Sequence, residues 1–408
     1  MKLHANKFLK NILRVLAVWT IRKYAPHIIG VTGSVGKTST KDAIHAMLRG
    51  VKDVRASSAS FNNEIGLPLT ILGDWQKTGG ISFWFKVVVT SLLNLIVRRP
   101  YPEILILEYA ADHPGDIQYL TEIARPSISV VTAVGDIPVH VEFYKDKDAV
   151  AREKARLVEV LPAAGFAVLC ADDSLVATME DRTRARVITF GFNANAQVGI
   201  QGFEHRISEK GLEGVSFKLS YGGSFVPVRL ERSFGRGSAY AAAAAAAVGI
   251  AMGLHLVRIS ESLSYYESPP HRMKLVHGKG GVLLIDDAYN ASPLSMRLAI
   301  ETVQEFPGTR KIGVLGDMRE LGNYAEVAHE EMGKLAARAF DIVIAVGDYA
   351  EVLASAARKA GLTKKNVIVC KTAREAKDQL LPLLKKGDVV LVKGSRAVGL
   401  ELVVEACR

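Results

Sequence analysis

The chain has 408 residues, 49% of them hydrophobic and 23% charged, a balance that excludes a disordered protein and leaves room for two or three domains. Its three cysteines, Cys170, Cys370 and Cys407, lie far apart with no Cys-x-x-Cys pair, which argues against a zinc cluster or disulfide framework and favours a reducing, cytoplasmic compartment. The formal net charge of +10 calls for an anionic partner. No helix-turn-helix, zinc finger or aromatic-rich RNA motif accompanies it, so nucleic acid gives way to anionic metabolites and lipid surfaces. The plain alternative is a soluble protein that is merely basic.

Residues 5–24 predict an amphipathic helix, with Phe8, Ile12, Val15, Leu16 and Trp19 apolar and Lys7, Lys10, Asn11 and Arg14 on another face. Pro26 ends it. Arg14 and Arg22 interrupt its apolar run and no small-residue cleavage site follows, so it is not read as a secretion signal. A short apolar strand then enters Thr32-Gly33-Ser34-Val35-Gly36-Lys37-Thr38-Ser39. Gly33 and Gly36 allow backbone N–H groups to turn toward an anion, Lys37 reaches outer phosphates, and the Thr38 hydroxyl suits Mg²⁺. The helix after it, to about Arg49, aims its positive end at the same place. The pattern is imperfect, since the first glycine of a phosphate loop would fall at Val31. A triphosphate-consuming protein is nevertheless expected.

Residues 81–97 are more apolar, with Ser82, Lys86, Thr90, Asn94 and Arg98 drawing one polar stripe. This is a poor membrane span. Either it and the first helix pack on a core, or both lie on a membrane surface, backed by Arg98 and Arg99. Beyond residue 100, strands at 104–108, 127–132, 167–170 and 187–190 alternate with a helix at 147–161, predicting an α/β domain with a mainly parallel sheet. Hairpin-like strands follow around 197–231, broken at Gly222-Gly223, and the alanine run 241–247 predicts a closely packed helix. Ser268-Pro269-Pro270 marks a boundary. The tail again alternates, with strands near 281–285, 312–315, 342–346, 366–369 and 389–392, as a smaller Rossmann-like domain without a dinucleotide fingerprint. The organisation expected is therefore an N-terminal helix over 1–27, a triphosphate-binding domain over 28–268 and a Rossmann-like domain over 269–408.

Glu108 ends a strand at the sheet edge where ligands bind and suits a metal ion. His140 follows another strand, and a structural histidine is its plainer role. Lys154 alone would be taken for a solvated lysine. Asp286, Asp287 and Asn290 close the first tail strand, where ligand contact competes with capping of the helix near Pro293, a role best suited to Ser292. Arg272 either reaches across an interdomain cleft or stays in solvent. Lys393 and Arg396, around Gly394-Ser395, offer two cations to a substrate carboxylate or form a basic turn.

Taken in order, these motifs resemble the Mur ligases, ATP-dependent amide ligases of peptidoglycan precursor synthesis. The stretches Ser60–Pro68, Leu107-Glu108 with Pro114-Gly115-Asp116, Arg152–Ala155, Asp286–Asn290, Gly316-Asp317-Met318 and Lys393–Arg396 join the phosphate loop and His140 in carrying it. The branch most similar adds D-alanyl-D-alanine to a UDP-linked muramoyl tripeptide. The resemblance implies an acyl phosphate made from ATP and displaced by an amine. It implies that Thr38, Glu108, His140 and a carbamylated Lys154 surround metal ions, with Lys37 on the phosphates. It also implies that Arg272 and Asn290 contact the nucleotide and that Asn62 and Asn63 lie near the substrate. Departures are equally plain. The segment 1–27 stands where a UDP-binding domain is expected, and Gly235-Arg236-Gly237-Ser238 lacks a histidine–asparagine pair. Arg156 replaces an acid, and Ala397-Val398-Gly399 differs from the usual motif end. The alternatives are a related ligase on a non-UDP or lipid-linked acid, with peripheral membrane contact, and a nucleotide-binding protein that has lost catalysis.

Overall fold

A computed structural model describes residues 2–57, 61–75, 77–208, 211–306, 308 and 310–408; Ser60, at the head of the 60–68 motif, lies outside the described residues. The first half of the chain builds strands β1 (His27–Thr32), β2 (Val54–Ala56), β3 (Ile104–Glu108), β4 (Ile128–Val131), β5 (Phe166–Cys170), β6 (Arg186–Gly191), β7 (Val198–Ser208), β8 (Gly211–Tyr221) and β9 (Ser224–Glu231). They form one sheet in the order β2-β3-β1-β4-β5-β6-β7-β8-β9. The sheet is parallel from β2 to β7 and antiparallel beyond. The parallel strands β3 and β4 are buried along their whole length, as a sheet covered on both faces requires. Gly222 and Gly223 both take positive φ (56° and 79°) and turn β8 into β9.

Helices α1 (Lys2–Tyr24), α2 (Lys37–Leu48), α3 (Gly66–Leu72), α4 (Ile81–Ile96), α5 (Asp116–Ile123), α6 (Lys147–Glu159), α7 (Ser174–Ala177), α8 (Gly235–Ala251) and α9 (Leu256–Leu263) accompany this sheet. Ala239 and the alanines at 241–247 of α8 are buried, and their small side chains let α8 pack closely on α2. The tail contributes β10 (Lys274–His277), β11 (Leu283–Asp287), β12 (Arg310–Gly316), β13 (Ile342–Val346), β14 (Val367–Cys370) and β15 (Asp388–Lys393), with α10 (Pro293–Glu305) and α11 (Ala325–Ala339) among its helices. Its sheet runs β10-β11-β15-β12-β13-β14, parallel except for β10. The molecule is α/β with mostly parallel sheets. Strand β10 was not expected; its residues 274–277 carry too little apolar alternation to stand out from the boundary before them.

The two apolar helices differ from their expected patterns. Leu13, Leu16 and Ala17 of α1 are buried against α3, α4 and neighbouring strands, whereas Phe8, Val15 and Trp19 face outward. Helix α4 buries Val87 and Ser91, while Ile81, Phe85 and Ile96 are exposed. Both helices therefore have an inner and an outer apolar face. The polar stripe of α4 does not coincide with its solvent side: Ser82 and Lys86 are exposed but Thr90 and Asn94 are half-buried. Lys23 and the Tyr24 hydroxyl donate to the Asn94 carbonyl, clamping the C-terminal ends of α1 and α4 together.

Candidate active site

The ends of β1, β3 and β4 bring the phosphate loop, Glu108 and the residues before His140 to one sheet edge, because Val31 is in register with Glu108 and Thr32 with Val131. Gly33 has φ +139°, and a Cβ there would stand 1.9 Å from Thr132 Oγ1. Gly36 has φ +89° and opens α2. The Ser34 and Val35 amides donate to the Ala133 carbonyl, at 2.7 and 3.2 Å. Those two amides thus tie the loop to the chain just after β4, and an anion would meet the first-turn N–H groups of α2, which have no intrahelical acceptors. Lys37 Nζ donates to the Gly33 carbonyl at 2.7 Å, and burial holds its pKa below the usual lysine value against the pull of Glu108 and Asp112.

Glu108 is 0% exposed, and neither carboxylate oxygen has a hydrogen-bond partner in the protein. Its charge is met by Lys41 Nζ at 3.6 Å, which also contacts Asp42 at 3.1 Å and donates to the Ser57 carbonyl. Lys41 escaped sequence reasoning; its place one turn after Lys37 on α2 was the available signal. The buried Ser34 hydroxyl also has no protein partner. These orphaned groups fit a polyphosphate with a divalent cation: the carboxylate and the Thr38 hydroxyl supply hard oxygen ligands. Among the described residues no cluster of three or more His, Cys, Asp and Glu side chains is arranged to hold a metal, so any site is built from mixed groups.

His140, at φ +68°, stands between two acids, with Nε2 3.2 Å from Asp112 Oδ1 and Nδ1 2.6 Å from Glu320 Oε2. Glu320 belongs to the second half of the chain, so this contact joins the two sheets across the cleft. Neither acid was singled out from the sequence. Lys154 is buried on α6 and does not line the cleft. Burial, reinforced by Lys37, pulls its ammonium down to about 7, against the pull of Asp112 and Glu153. A solvated lysine is excluded.

From the segment just before β10, Arg272 donates to Thr38 Oγ1 at 3.1 Å and lies over the Tyr289 ring at 4.4 Å, with Arg396 over the same ring at 5.6 Å. Tyr289 is a further site residue missed in the sequence. Lys393 does not present a free cation to substrate. Its Nζ is 2.7 Å from Asp287 Oδ2 and donates to the Asn290 carbonyl, in a buried brace between β11 and β15. Asp286 turns instead to His271, 2.9 Å away. Asn63 Oδ1 accepts from the Ile65 and Gly66 amides and organises the start of α3, while Asn62 alone of the pair lines the cleft. Ser292 caps α10 with a reciprocal hydrogen-bonded box.

The cleft measures about 700 Å³. Its walls include Ser34, Gly36, Lys37, Thr38, Ser39 and Glu108 on one side, and Arg272, Tyr289, Asn290 and Arg396 on the other. Gly235, Gly237 and Ser238 of α8, with small side chains or none, and Leu298, Ala299 and Thr302 of α10 form a third wall.

Family models for the Mur ligase middle domain and for the Mur ligase glutamate ligase domain match residues 86–249 and 271–396. The UDP-N-acetylmuramoyl-tripeptide–D-alanyl-D-alanine ligase of Mycobacterium tuberculosis is 35% identical over 402 residues, covering 93% of this chain and 72% of that protein. The chain belongs to the Mur ligase family. As a Mur ligase it is an ATP-dependent enzyme that forms carbon–nitrogen bonds. The Bacillus subtilis ligase of the same name is 29% identical, with 96% of this chain and 78% of that protein covered. Among solved structures, the MurF ligase of Thermotoga maritima in complex with ADP superposes with a TM-score of 0.80 and 28% identity, over 97% of this Mur ligase and 83% of that chain.

Proposed function

We propose that this Mur ligase works in the cytoplasm and adds D-alanyl-D-alanine, or a similar amine, to a UDP-linked muramoyl peptide; its relatives are named for joining D-alanyl-D-alanine to UDP-N-acetylmuramoyl-tripeptide. A substrate carboxylate oxygen attacks the γ-phosphorus of ATP, giving an acyl phosphate and ADP. The amine then attacks the acyl carbon, loses a proton, and expels inorganic phosphate. Lys37 and the first-turn amides of α2 position and neutralise the transferring group. Thr38, Glu108 and His140 are the groups that would hold Mg²⁺, which when bound neutralises charge developing on phosphate oxygens. His140 must leave Glu320 or Asp112 to do so.

Lys154, with its pKa near 7, has the neutral amine needed to add carbon dioxide, which would exchange a buried cation for an anionic metal ligand. Arg272, Asn290 and Arg396 complete the nucleotide and substrate contacts from the tail side, and the small residues at the start of α8 leave room for a flat base. The three buried, unpaired cysteines accord with a reducing cytoplasm.

The observation that carries this reading is Glu108, a fully buried carboxylate without protein hydrogen bonds at the edge of a phosphate loop. The test is phosphate release from ATP and MgCl₂ with UDP-muramoyl-tripeptide and D-alanyl-D-alanine. Release only when both acid and amine are present is expected. Release with a different acid–amine pair alone would overturn the substrate assignment and leave the ligase chemistry standing.

A further inference from the structure

The outer faces of α1 and α4 are unusual in combining exposed apolar side chains with an absence of acidic residues in the two segments themselves. On α4, Ile81 (90% exposed), Phe85 (70%), Val89, Leu92, Leu93 and Ile96 (79%) recur at helical spacing along one side. On α1, Phe8 (69%), Val15 and Trp19 do the same. The two helices pack side by side through Leu9, Ile12 and Leu16 of α1 and Trp84, Val88 and Leu95 of α4. On each helix this seam lies between the buried face and the exposed one, so both exposed stripes look to the same side. The result is one apolar surface, α4 alone contributing about 24 Å of length. Isolated exposed apolar residues are ordinary; a contiguous set of this size marks a docking surface.

Charge selects the partner. Residues 2–24 and 75–102 hold ten Lys and Arg and no Asp or Glu. The chain's whole excess of Lys and Arg over Asp and Glu is also ten, so the rest of the chain is formally neutral. The basic character of this protein is therefore confined to the two segments that carry the exposed apolar face. Lys10 and Arg14 are paired with Glu64 and Glu122, but Arg22, Lys77, Lys86, Arg98 and Arg99 stand exposed around the patch. A second copy of the chain would bring the same positive charge to the contact and be repelled. Among the described residues no helix is long and apolar enough to cross a membrane.

We infer that α1 and α4 form a platform that lies flat on an anionic lipid bilayer, with Phe8, Trp19, Ile81, Phe85 and Ile96 entering the headgroup–acyl boundary and the surrounding cations meeting lipid phosphates. Apolar burial and attraction to anionic lipid act together in such in-plane helices. Long basic side chains reach the headgroups while their stems cover apolar surface. This goes beyond the ligase reaction and does not depend on it.

Flotation of the full chain with vesicles of equal phosphatidylglycerol and phosphatidylcholine, compared with phosphatidylcholine alone, tests it. At low salt the protein is expected to float with the anionic vesicles, and binding to neutral vesicles to be weaker by about tenfold or more. Phe85→Glu combined with Ile96→Glu should weaken binding by about tenfold or more while leaving thermal unfolding and phosphate release unchanged. Lys86→Gln with Arg98→Gln and Arg99→Gln should weaken it comparably and reduce its salt dependence. Failure of the wild type to float with anionic vesicles would overturn the inference. So would a double-glutamate variant that floats like the wild type. A light-scattering mass that falls from dimer to monomer in that variant would show that a second copy covers the face instead.

Discussion

Replacing Glu108 by Gln should separate catalysis from folding. The substitution keeps the shape of a fully buried side chain whose oxygens have no protein hydrogen bond to lose. What changes is charge. Lys41 Nζ, 3.6 Å away, is attracted to the carboxylate by roughly 4–5 kcal/mol at an effective dielectric constant of about 20. Holding an ionised carboxylate away from water costs several kcal/mol in the opposite direction. Lys41 retains Asp42 at 3.1 Å and the Ser57 carbonyl, so it is not left uncompensated. The two large contributions nearly cancel, and unfolding free energy in urea should change by less than about 2 kcal/mol. Phosphate release should fall by about 100-fold or more, because the neutral amide would hold Mg²⁺ less tightly than the carboxylate, and the cation is what would balance charge on the transferring phosphoryl in the transition state. Turnover within tenfold of wild type would refute the role given to Glu108. A loss of activity matched by a stability loss above about 3 kcal/mol would show that its role is structural.

Lys37→Ala should abolish phosphate release and weaken ADP binding, measured by calorimetry, by about 100-fold, with little change in thermal unfolding. Gly33→Ala forces a Cβ against Thr132 Oγ1, a hydroxyl that bonds to the Thr32 and Val35 carbonyls, and should cost about 2 kcal/mol or more in urea unfolding. Gly80→Ala, with open space at its Cβ, should stay within about 0.5 kcal/mol and serves as control. Stability should also fall with acid through His329, which accepts from the Met318 amide at Nε2 and faces the Ala325 carbonyl at Nδ1. Burial holds its folded pKa below the ordinary 6.5, so the unfolded chain binds the proton first. Its contribution is complete above pH 6.5 and is lost as pH falls below that value toward the folded pKa. Urea midpoints at pH 7.5 and 5.5 should differ less in His329→Gln than in wild type.

The parallel core was legible because each of its strands is a short apolar run bounded by turn residues. Ile104–Glu108 and Ile342–Val346 coincide with their expected limits, and the Ser292 cap with Pro293 fixed the start of α10. The phosphate loop was legible for the same local reason. Contacts across the cleft were not, because nothing in the neighbouring sequence of His140 specifies Glu320, and nothing around Lys393 shows that Asp287 already occupies it. The acceptor role of Asn63 toward the Ile65 and Gly66 amides was not legible either, because an amide that orders a turn and one that meets a ligand have the same local sequence. The outer faces of α1 and α4 were hidden by composition. The polar faces of both helices could be read, but apolar residues outnumber them so far that the pattern does not tell which apolar side is buried and which is exposed.

The alanine helix α8 has a mechanical meaning. It packs along its length against α2, whose first turn carries Lys37 and Thr38, while its own first turn forms a cleft wall. A Cβ at Gly249 would already come within 3.2 Å of Met47 Sδ and 2.9 Å of Ile259 Cδ1. There is no slack between these helices to absorb an added methyl group. Enlarging an alanine of α8 that faces α2 therefore acts as a wedge, tilting the phosphate loop relative to the opposite wall. Residues that never meet a nucleotide thus set the width of the slot that receives it.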